Sequence, residues 1–282
     1  MLALLANSPT VGQSAALLAV GVLAGVLGGA LGIGGGLIMI PAMVLILDRA
    51  YGPNSFHLFK LSALTTAVIL SLPAVGQHLR ARAVVKDMIP TLITWALVGV
   101  AAGVWFSLGL IDERTGTLRR AFGLFMLAAV AAKLWQSRTA AERRFSQPGA
   151  ACPVPRSRRG FIGLVGGLPA GLIGGLLGVG GGIWAVPAQN YLLRLRLPNA
   201  IANSACMVVA LAGGGAILQS WAIWHMSGVR IADALWLVLW LAPGALLGGW
   251  LGGGLTHKLP VAWLRNVFYV ILAITGLRLA WG

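Results

Sequence analysis

The chain has 282 residues, of which 58% are hydrophobic and 10% are charged, and its mean hydropathy is +0.87. Its apolar stretches are too long and too numerous for the core of a water-soluble domain of this size, which indicates an all-α, polytopic membrane protein embedded in a lipid bilayer. The net charge of +15 would suggest a nucleic-acid partner in a soluble protein. Here most Lys and Arg residues lie in short connections between apolar stretches, where they orient membrane helices, so we expect no nucleic-acid partner.

A helix that crosses the hydrocarbon core needs about 20 apolar residues. Six segments meet this requirement, and we predict spanning helices at 57–79, 88–110, 117–136, 199–224, 231–254 and 262–281. Two further segments, 14–47 and 160–193, contain the glycine-rich sequences "LGIGGGLIMIP" and "LGVGGGIWAVP". Each is too long for one straight span and too short for two, so we predict a re-entrant helical hairpin broken at the glycines.

The two glycine-rich segments belong to a tandem repeat. An offset of 146 residues aligns 21–47 with 167–193, and it also pairs Asp87 with Asp233 and Trp135 with Trp281. The helix after each hairpin contains a segment of small and hydroxyl residues, "SALTT" in the first repeat and "AIANS" in the second. We therefore predict a first transmembrane repeat at 1–137, a basic cytoplasmic linker at 138–159 and a second transmembrane repeat at 160–282.

The distribution of positive charge favours one topology. If each hairpin returns to its starting side, a repeat contains three crossings, and an odd number places the second repeat upside down relative to the first. This topology places 14 Lys and Arg residues inside and 7 outside, against 12 and 9 if both hairpins were full spans. The positive-inside rule thus predicts two inverted repeats, each a glycine-broken re-entrant hairpin plus three transmembrane helices, with both termini outside.

The glycine runs predict a binding site. A break at membrane depth is tolerated where it is wrapped in protein or lines a hydrated cavity, and the free N–H groups of the helix that follows attract anions. We expect glycines at small-xxx-small spacing, such as Gly21 and Gly25, to pack helices together. The predicted substrate-binding groups are the two glycine runs with nearby hydroxyl and amide side chains: Gly34, Gly35, Gly36, Gly180, Gly181, Gly182, Thr65, Thr66, Asn203 and Ser204. Gly35→Val and Gly181→Val are then expected to block transport without unfolding the protein.

Other polar residues have two interpretations each. His57 and Lys60, placed at the outer mouth of their helix, either attract the anion or snorkel to the interface. His78, with Arg80 and Arg82 at the cytoplasmic end, either receives the anion or is an ordinary interfacial group. Gln189 and Asn190 either hydrate the second half-site or cap a helix end.

The acidic residues argue against coupling to protons or sodium. All six lie in connections or at helix ends, so no mid-membrane carboxylate is predicted, and the membrane potential alone would expel an anion. Two separated cysteines predict neither a metal site nor a disulfide framework, and we expect no cofactor. Ser204 and His225 are the one candidate pair for an intramembrane protease, which we do not expect; a channel with re-entrant pore loops stays open as an alternative.

The sequences "GVLAGVLGGALGIGGGLIMIP" and "AGLIGGLLGVGGGIWAVP", followed by "SALTT", "GQHLRARAVV" and "AIANS", resemble the TauE/SafE family of sulfite-exporter-like permeases. The resemblance covers nearly the whole chain. It implies a multi-pass transporter, not an enzyme, that exports sulfite or a related organosulfur or sulfonate anion across the bacterial inner membrane. Asn203-Ser204 and Gln219 depart from the family pattern, so the resemblance fixes neither the anion nor the direction, and uptake of a sulfur oxyanion or carboxylate and a homodimeric state stay open.

Overall fold

The computed structural model describes residues 10–51, 55–109, 115–138, 159–192, 195–225, 230–256 and 261–281. In these ranges the chain forms helices, with a short 3₁₀ turn at Lys86–Met88. The α-helices are α1 (Val11–Leu31), α2 (Gly36–Tyr51), α3 (Ser55–Arg80), α4 (Ile89–Leu108), α5 (Thr115–Arg138), α6 (Arg159–Leu177), α7 (Gly182–Leu192), α8 (Leu197–Trp224), α9 (Ile231–Leu255) and α10 (Val261–Trp281). The predicted all-helical membrane fold is confirmed. Most of the predicted linker at 138–159 and both chain ends lie outside the described residues.

The predicted helix breaks are present in both glycine runs. Helix α1 ends at Leu31 and α2 begins at Gly36, while α6 ends at Leu177 and α7 begins at Gly182. Five glycines in the two breaks have the left-handed backbone conformation that side chains disfavour, with φ from +64° to +80°: Gly32, Gly34, Gly178, Gly180 and Gly181. Glycine therefore terminates one helix and allows the next to start in a new direction.

Six helices in the described ranges are long and apolar enough to cross a membrane, and five of them match predicted spans. The sixth is α1, whose 21 residues are about 31 Å long. The predicted span at 117–136 forms helix α5 but is not among the six. Arg119, Arg120 and Lys133 interrupt its apolar sequence and lower its mean hydropathy.

Glycine contacts hold two helix pairs together. Gly25 of α1 faces the carbonyl of Ala245 in α9 at 2.7 Å from an ideal Cβ position, and Gly175 of α6 faces Val100 of α4 in the same way. The predicted packing role of these glycines is confirmed. Since lipid is as apolar as a leucine side chain, membrane helices associate through close backbone packing of this kind.

The order of the contacts gives the relative directions of the helices. Gly21, Gly25 and Gly29 of α1 meet Leu241, Ala245 and Gly249 of α9 in ascending order, so α1 and α9 run parallel. Leu70 and Ala74 of α3 meet Gly249 and Gly253 of α9 in ascending order as well. Helices α1 and α3 therefore run the same way, and α2 leads the chain back between them. The amide of Gln13, at the start of α1, donates to the carbonyl of Ile46 near the end of α2 (3.4 Å).

Helices α3 and α8 run antiparallel through the centre. His57 contacts Gln219 at one end, Leu64 packs on Gly215, and the loop after α3 contacts Asn203 at the other end. Between these points Leu64, Ala67, Val208 and Ala212 form a small buried cluster. The two glycine breaks pack beside this crossing.

The contacts define the register between α3 and α8. Gly32 faces Ile201 while its equivalent Gly178 faces Lys60, and Gly35 faces Leu70 while its equivalent Gly181 faces Leu211. Both comparisons give an offset of 141 between equivalent positions of α3 and α8, whereas the glycine runs align at 146. The first half therefore has five more residues than the second between its glycine run and the equivalent positions of the next helix.

Candidate functional site: the crossing of two broken helices

The two glycine breaks pack directly against each other. An ideal Cβ on Gly36 would lie 2.5 Å from the carbonyl oxygen of Gly178 and 2.9 Å from the Cα of Val179. The same atom on Gly182 would collide with Gly32 and Ile33. These contacts are reciprocal, since 36 and 182, 32 and 178, and 33 and 179 are equivalent positions at the offset of 146. Only glycine at 36 and 182 lets the two backbones approach this closely.

Gly34 and Gly180 occupy the middle of the crossing. Their φ angles are +80° and +73°, and an ideal Cβ on Gly34 would lie 3.8 Å from the Cα of Gly180. An ideal Cβ on either glycine would also lie 3.2 Å from Cγ1 of Val208, whose side chain is fully buried. An apolar side chain from α8 thus closes the point where the two breaks meet.

The breaks leave backbone donors free at the starts of α2 and α7. The first carbonyl of each helix is used, since Gly35 accepts from Ile38 and Met39 and Gly181 accepts from Trp184 and Ala185. Within the described ranges, the N–H groups of residues 34–36 and 180–182 donate to no backbone carbonyl. All six glycines are buried. Buried N–H groups of this kind at a helix start favour an anion.

The remaining glycine of each run does not face the crossing. An ideal Cβ on Gly35 would lie 2.6 Å from Cε of Met39 and 2.7 Å from Cδ2 of Leu70, and one on Gly181 would collide with the carbonyl oxygen of Ala170. Gly181 also has φ +70°. Valine at Gly181 would therefore meet main chain and disturb the fold, contrary to the expectation, whereas the atoms nearest to Gly35 are the ends of flexible side chains, so the expectation for Gly35→Val stays a prediction.

The four hydroxyl and amide residues predicted beside the glycines differ in their hydrogen-bond partners and in their burial. Ser204 donates to the carbonyl oxygen of Gly32 at 2.6 Å, so it closes the end of α1. Asn203 accepts from the backbone N–H of Val85 at 2.8 Å and anchors the loop after α3. Thr66 is fully buried and its hydroxyl has no partner among the described residues, while Thr65 is half-buried.

His57 and Lys60 are fully buried and do not lie at an exposed mouth. The Lys60 ammonium donates to the hydroxyl of Ser107 in α4 at 2.8 Å, and its aliphatic stem packs on Gly178. His57 lies 3.3 Å (Nδ1) from the amide nitrogen of Gln219, while its Nε2 has no partner among the described residues. Snorkelling to the interface, one of the two interpretations from sequence, is therefore wrong.

A family model described as sulfite exporter TauE/SafE matches residues 17–279. The chain belongs to the TauE/SafE family. It is 30% identical over 283 residues to the "probable membrane transporter protein MamO" of Paramagnetospirillum magneticum, covering 91% of this chain and 42% of that protein. It is 23% identical over 279 residues to the "probable membrane transporter protein YunE" of Bacillus subtilis, covering 93% and 96%. The chain spans less than half the length of the MamO relatives, and no solved structure matches it.

The TauE/SafE assignment establishes a multi-pass membrane transporter family whose members are named as transporters, not enzymes. Within this family fold, the other predicted residues lie outside the crossing itself. Arg80 and Arg82 are exposed where α3 ends, and His78 is buried one turn earlier. Asn190 donates to the carbonyl of Leu195 at 2.8 Å and so joins α7 to α8, while Gln189 contacts the sulfur of Met207.

Sequence reasoning missed two side chains around the crossing. Ser107 receives the buried ammonium of Lys60, and Val208 fills the middle of the crossing. Gln219, noted in the sequence as a departure from the family pattern, contacts His57. Ser107 is a single hydroxyl in the apolar sequence "GVWFSLGL", and a lone polar residue in a spanning helix was the signal available. Val208 gave no signal, since a valine in an apolar helix is the commonest case.

Proposed function

We propose that the chain exports a small anion, sulfite or a related organosulfur or sulfonate anion, through the crossing of the two broken helices. The observation that supports this most directly is the set of buried N–H groups in the two breaks, which have no backbone acceptor in the described ranges. Backbone donors at helix starts satisfy the oxygens of a sulfite or sulfonate without the cost of bringing a bulky side chain close. The family's description as a sulfite exporter agrees with this class of substrate.

We also propose that the two halves are inverted repeats and that each pair of broken helices is a re-entrant hairpin. Helices α3 and α8 hold equivalent places in the two halves and run antiparallel, which supports inversion. Helices α1 and α3 run the same way, so the pair α1 and α2 starts and ends on one side of the membrane. Inversion then directs two helix starts to one central point, an arrangement used for anions by other transporters.

The packing of the crossing favours a carrier over an open pore. Val208 and the reciprocal glycine contacts close the crossing, so an anion reaches the N–H groups when the two breaks or α8 move. A carrier of this kind alternates between closed and open arrangements around one site. A channel, the alternative from sequence, would need a continuous hydrated path at the same place.

The proposed direction is outward across the bacterial cell membrane. None of the helices α3, α4, α6, α7 and α8 contains Asp or Glu, and Asp48 of α2 lies twelve residues after Gly36, so the crossing lacks the usual groups for proton or sodium coupling. A membrane potential of 100 mV, inside negative, acts on a monoanion with about 2.3 kcal/mol, equal to roughly a 50-fold gradient. The potential therefore suffices to drive export.

The function is tested with purified protein in two steps. The first is a thermal-shift screen against sulfite, sulfate, thiosulfate, sulfoacetate and small carboxylates, because a ligand that binds the folded state raises its melting temperature. The second is flux of the stabilising anion from loaded proteoliposomes. We expect flux that saturates with concentration. Failure of every anion in both assays would contradict the proposal, and ohmic single-channel current would favour the pore.

A further inference from the structure

Lys60 is the one lysine or arginine among the described side chains that is fully buried. Its ammonium donates to a neutral hydroxyl, that of Ser107, rather than to a carboxylate. A buried ion is costly unless an opposite charge compensates it. The helices that it contacts, α4 and the end of α6, contain no Asp or Glu, so the protein supplies no counter-charge from these elements.

Helix α9 also packs on α3 and carries Asp233 in its first turn. It meets α3 at Ser62, whose hydroxyl donates to the carbonyl oxygen of Ala234 at 3.1 Å. Ser62 lies two residues after Lys60 and therefore points about 200° away around the helix. The start of α9 therefore meets the opposite side of α3 from Lys60, whose stem packs on Gly178 at the second glycine break.

The first glycine break has no such group at the equivalent place. Gly32 faces the backbone of Ile201 where Gly178 faces the side-chain stem of Lys60, and Pro198 stands where His57 stands, at the structural offset of 141. The hydroxyl equivalent to Ser107 is that of Thr256, which donates to the carbonyl oxygen of Ala30 at 2.8 Å and contacts no cation among the described side chains. The two glycine breaks thus have equivalent backbone contacts but different neighbours. The side chain beside the second break is a buried cation, whereas the first break has an apolar residue and a hydrogen-bonded hydroxyl in the equivalent places.

His57 supplies a second unused polar group on the cationic side. It lies one turn before Lys60 on α3, so the two side chains are neighbours on one face of the helix. Its Nε2 atom is buried without a partner in the described part of the chain. A buried polar atom left unpaired in this way is costly and marks a place where a ligand can be accommodated.

We infer that the transported anion binds asymmetrically, on the side of the second break, with the Lys60 ammonium as its counter-charge and His57 as a neighbouring polar contact. This inference rests on the proposed function and names the residue that selects for charge. The anion pairs with a buried cation whose one partner among the described side chains is the Ser107 hydroxyl, while the N–H groups at the start of α7 receive its oxygens. An oxyanion with at least two acceptor oxygens, such as a sulfite, sulfonate or carboxylate, fits this donor set, and a neutral sulfone does not.

The test exploits the asymmetry of the crossing. Lys60→Ile places on the second side the residue that the first side already accommodates at Ile201, and Lys60→Met is a second variant that retains an unbranched stem. Ile201→Met is the matched control on the opposite side. Each variant is purified and titrated with sulfite, thiosulfate and sulfoacetate, and with neutral dimethyl sulfone, while melting temperature and proteoliposome flux are measured.

We expect Lys60→Ile and Lys60→Met to melt at or above the wild-type temperature without anion, because a buried charge is removed. Their Kd for the anion that stabilises the wild type should rise about tenfold to a hundredfold, the range for losing a hydrogen bond to a charged group. Lys60→Arg should retain part of the response, and Ile201→Met all of it. Dimethyl sulfone should shift no variant.

A structural role for Lys60 gives a different pattern. Ser107→Ala removes the hydroxyl but leaves the ammonium, so the anion response should persist; an equal loss in Ser107→Ala and Lys60→Ile would overturn the inference. Unchanged Kd and flux in Lys60→Ile or Lys60→Met would overturn it as well while leaving anion export intact. A wild type that responds to no anion would instead contradict the proposed function, and this inference with it.

Discussion

Gly36 and Gly178, from opposite halves of the chain, touch through their backbones, with 2.5 Å between an ideal Cβ on Gly36 and the carbonyl oxygen of Gly178. No rotation of a side chain relieves this contact, because the obstructing atom is main chain. The relationship makes the identity of residue 36 a condition for the crossing itself. Other glycines of the chain, such as Gly254, have no atom within 4 Å of an ideal Cβ position and do not impose this condition.

We predict that Gly36→Ala disrupts the crossing and lowers both the melting temperature and the yield of monodisperse protein in detergent. Gly254→Ala in α9 is the matched control, since nothing lies within 4 Å of its ideal Cβ. That control should be neutral or stabilising by about 0.5 to 1 kcal/mol, because alanine is the better helix former. Equal melting temperatures for the two variants would show that the two breaks do not pack in this way.

Val208 offers a second test of the crossing. Val208→Ala removes the atoms that face Gly34 and Gly180 and leaves the glycine backbone unchanged. We predict a larger site that admits bulkier anions, so the flux ratio of benzenesulfonate to sulfite should rise. Val104→Ala, at a position of similar burial in α4, should cost similar stability, about 1 to 2 kcal/mol, without changing this ratio. A raised ratio in both variants would point to general loosening rather than to the crossing.

The sequence predicts the breaks of this fold well and its side-chain environment poorly. Three adjacent glycines strongly disfavour a continuous helix through an apolar segment, and both breaks are present at the predicted positions. The sequence predicts an exposed mouth for Lys60 because it lies in the first turn of the predicted helix at 57–79, where a long side chain normally reaches water. Its burial depends on Ser107 and Gly178, which come from segments distant in sequence. The register between α3 and α8 likewise depends on tertiary contacts rather than on local pattern.

The proposed topology places Cys152, outside the described residues, in the cytoplasm. We predict that a membrane-impermeant maleimide added to intact cells does not label Cys152 in a Cys206→Ser background, and that it does so after permeabilisation. The substitution removes the one other cysteine, which is half-buried in α8. Efficient labelling of intact cells would invert the proposed orientation and with it the direction of the charge asymmetry.

Arg80 and Arg82 are exposed after α3, on the proposed cytoplasmic face. We predict that replacing both with glutamine raises the KM for the anion on the inner side at low salt, because two charges that concentrate anions there are lost. The difference should vanish near 1 M salt, where the screening length falls to about 3 Å. Arg278→Gln, an exposed position on the proposed outer face, is the control and should leave the inner KM unchanged. A salt-independent effect would mean that the arginines bind the anion directly.

The last prediction concerns the driving force. We expect efflux that moves net charge and continues without a proton or sodium gradient, because no Asp or Glu is close in sequence to either glycine break and the membrane potential alone expels an anion. Proteoliposomes loaded with the stabilising anion are clamped with potassium and valinomycin, and efflux should accelerate as the interior is made more negative. A pH gradient imposed at zero potential should change the rate little. Liposomes without the protein, loaded with the same anion, correct for leak. Flux that ignores voltage and follows the pH gradient would replace the uniport with a proton-coupled mechanism, in which His57, His78 or the protonated anion itself carries the proton across.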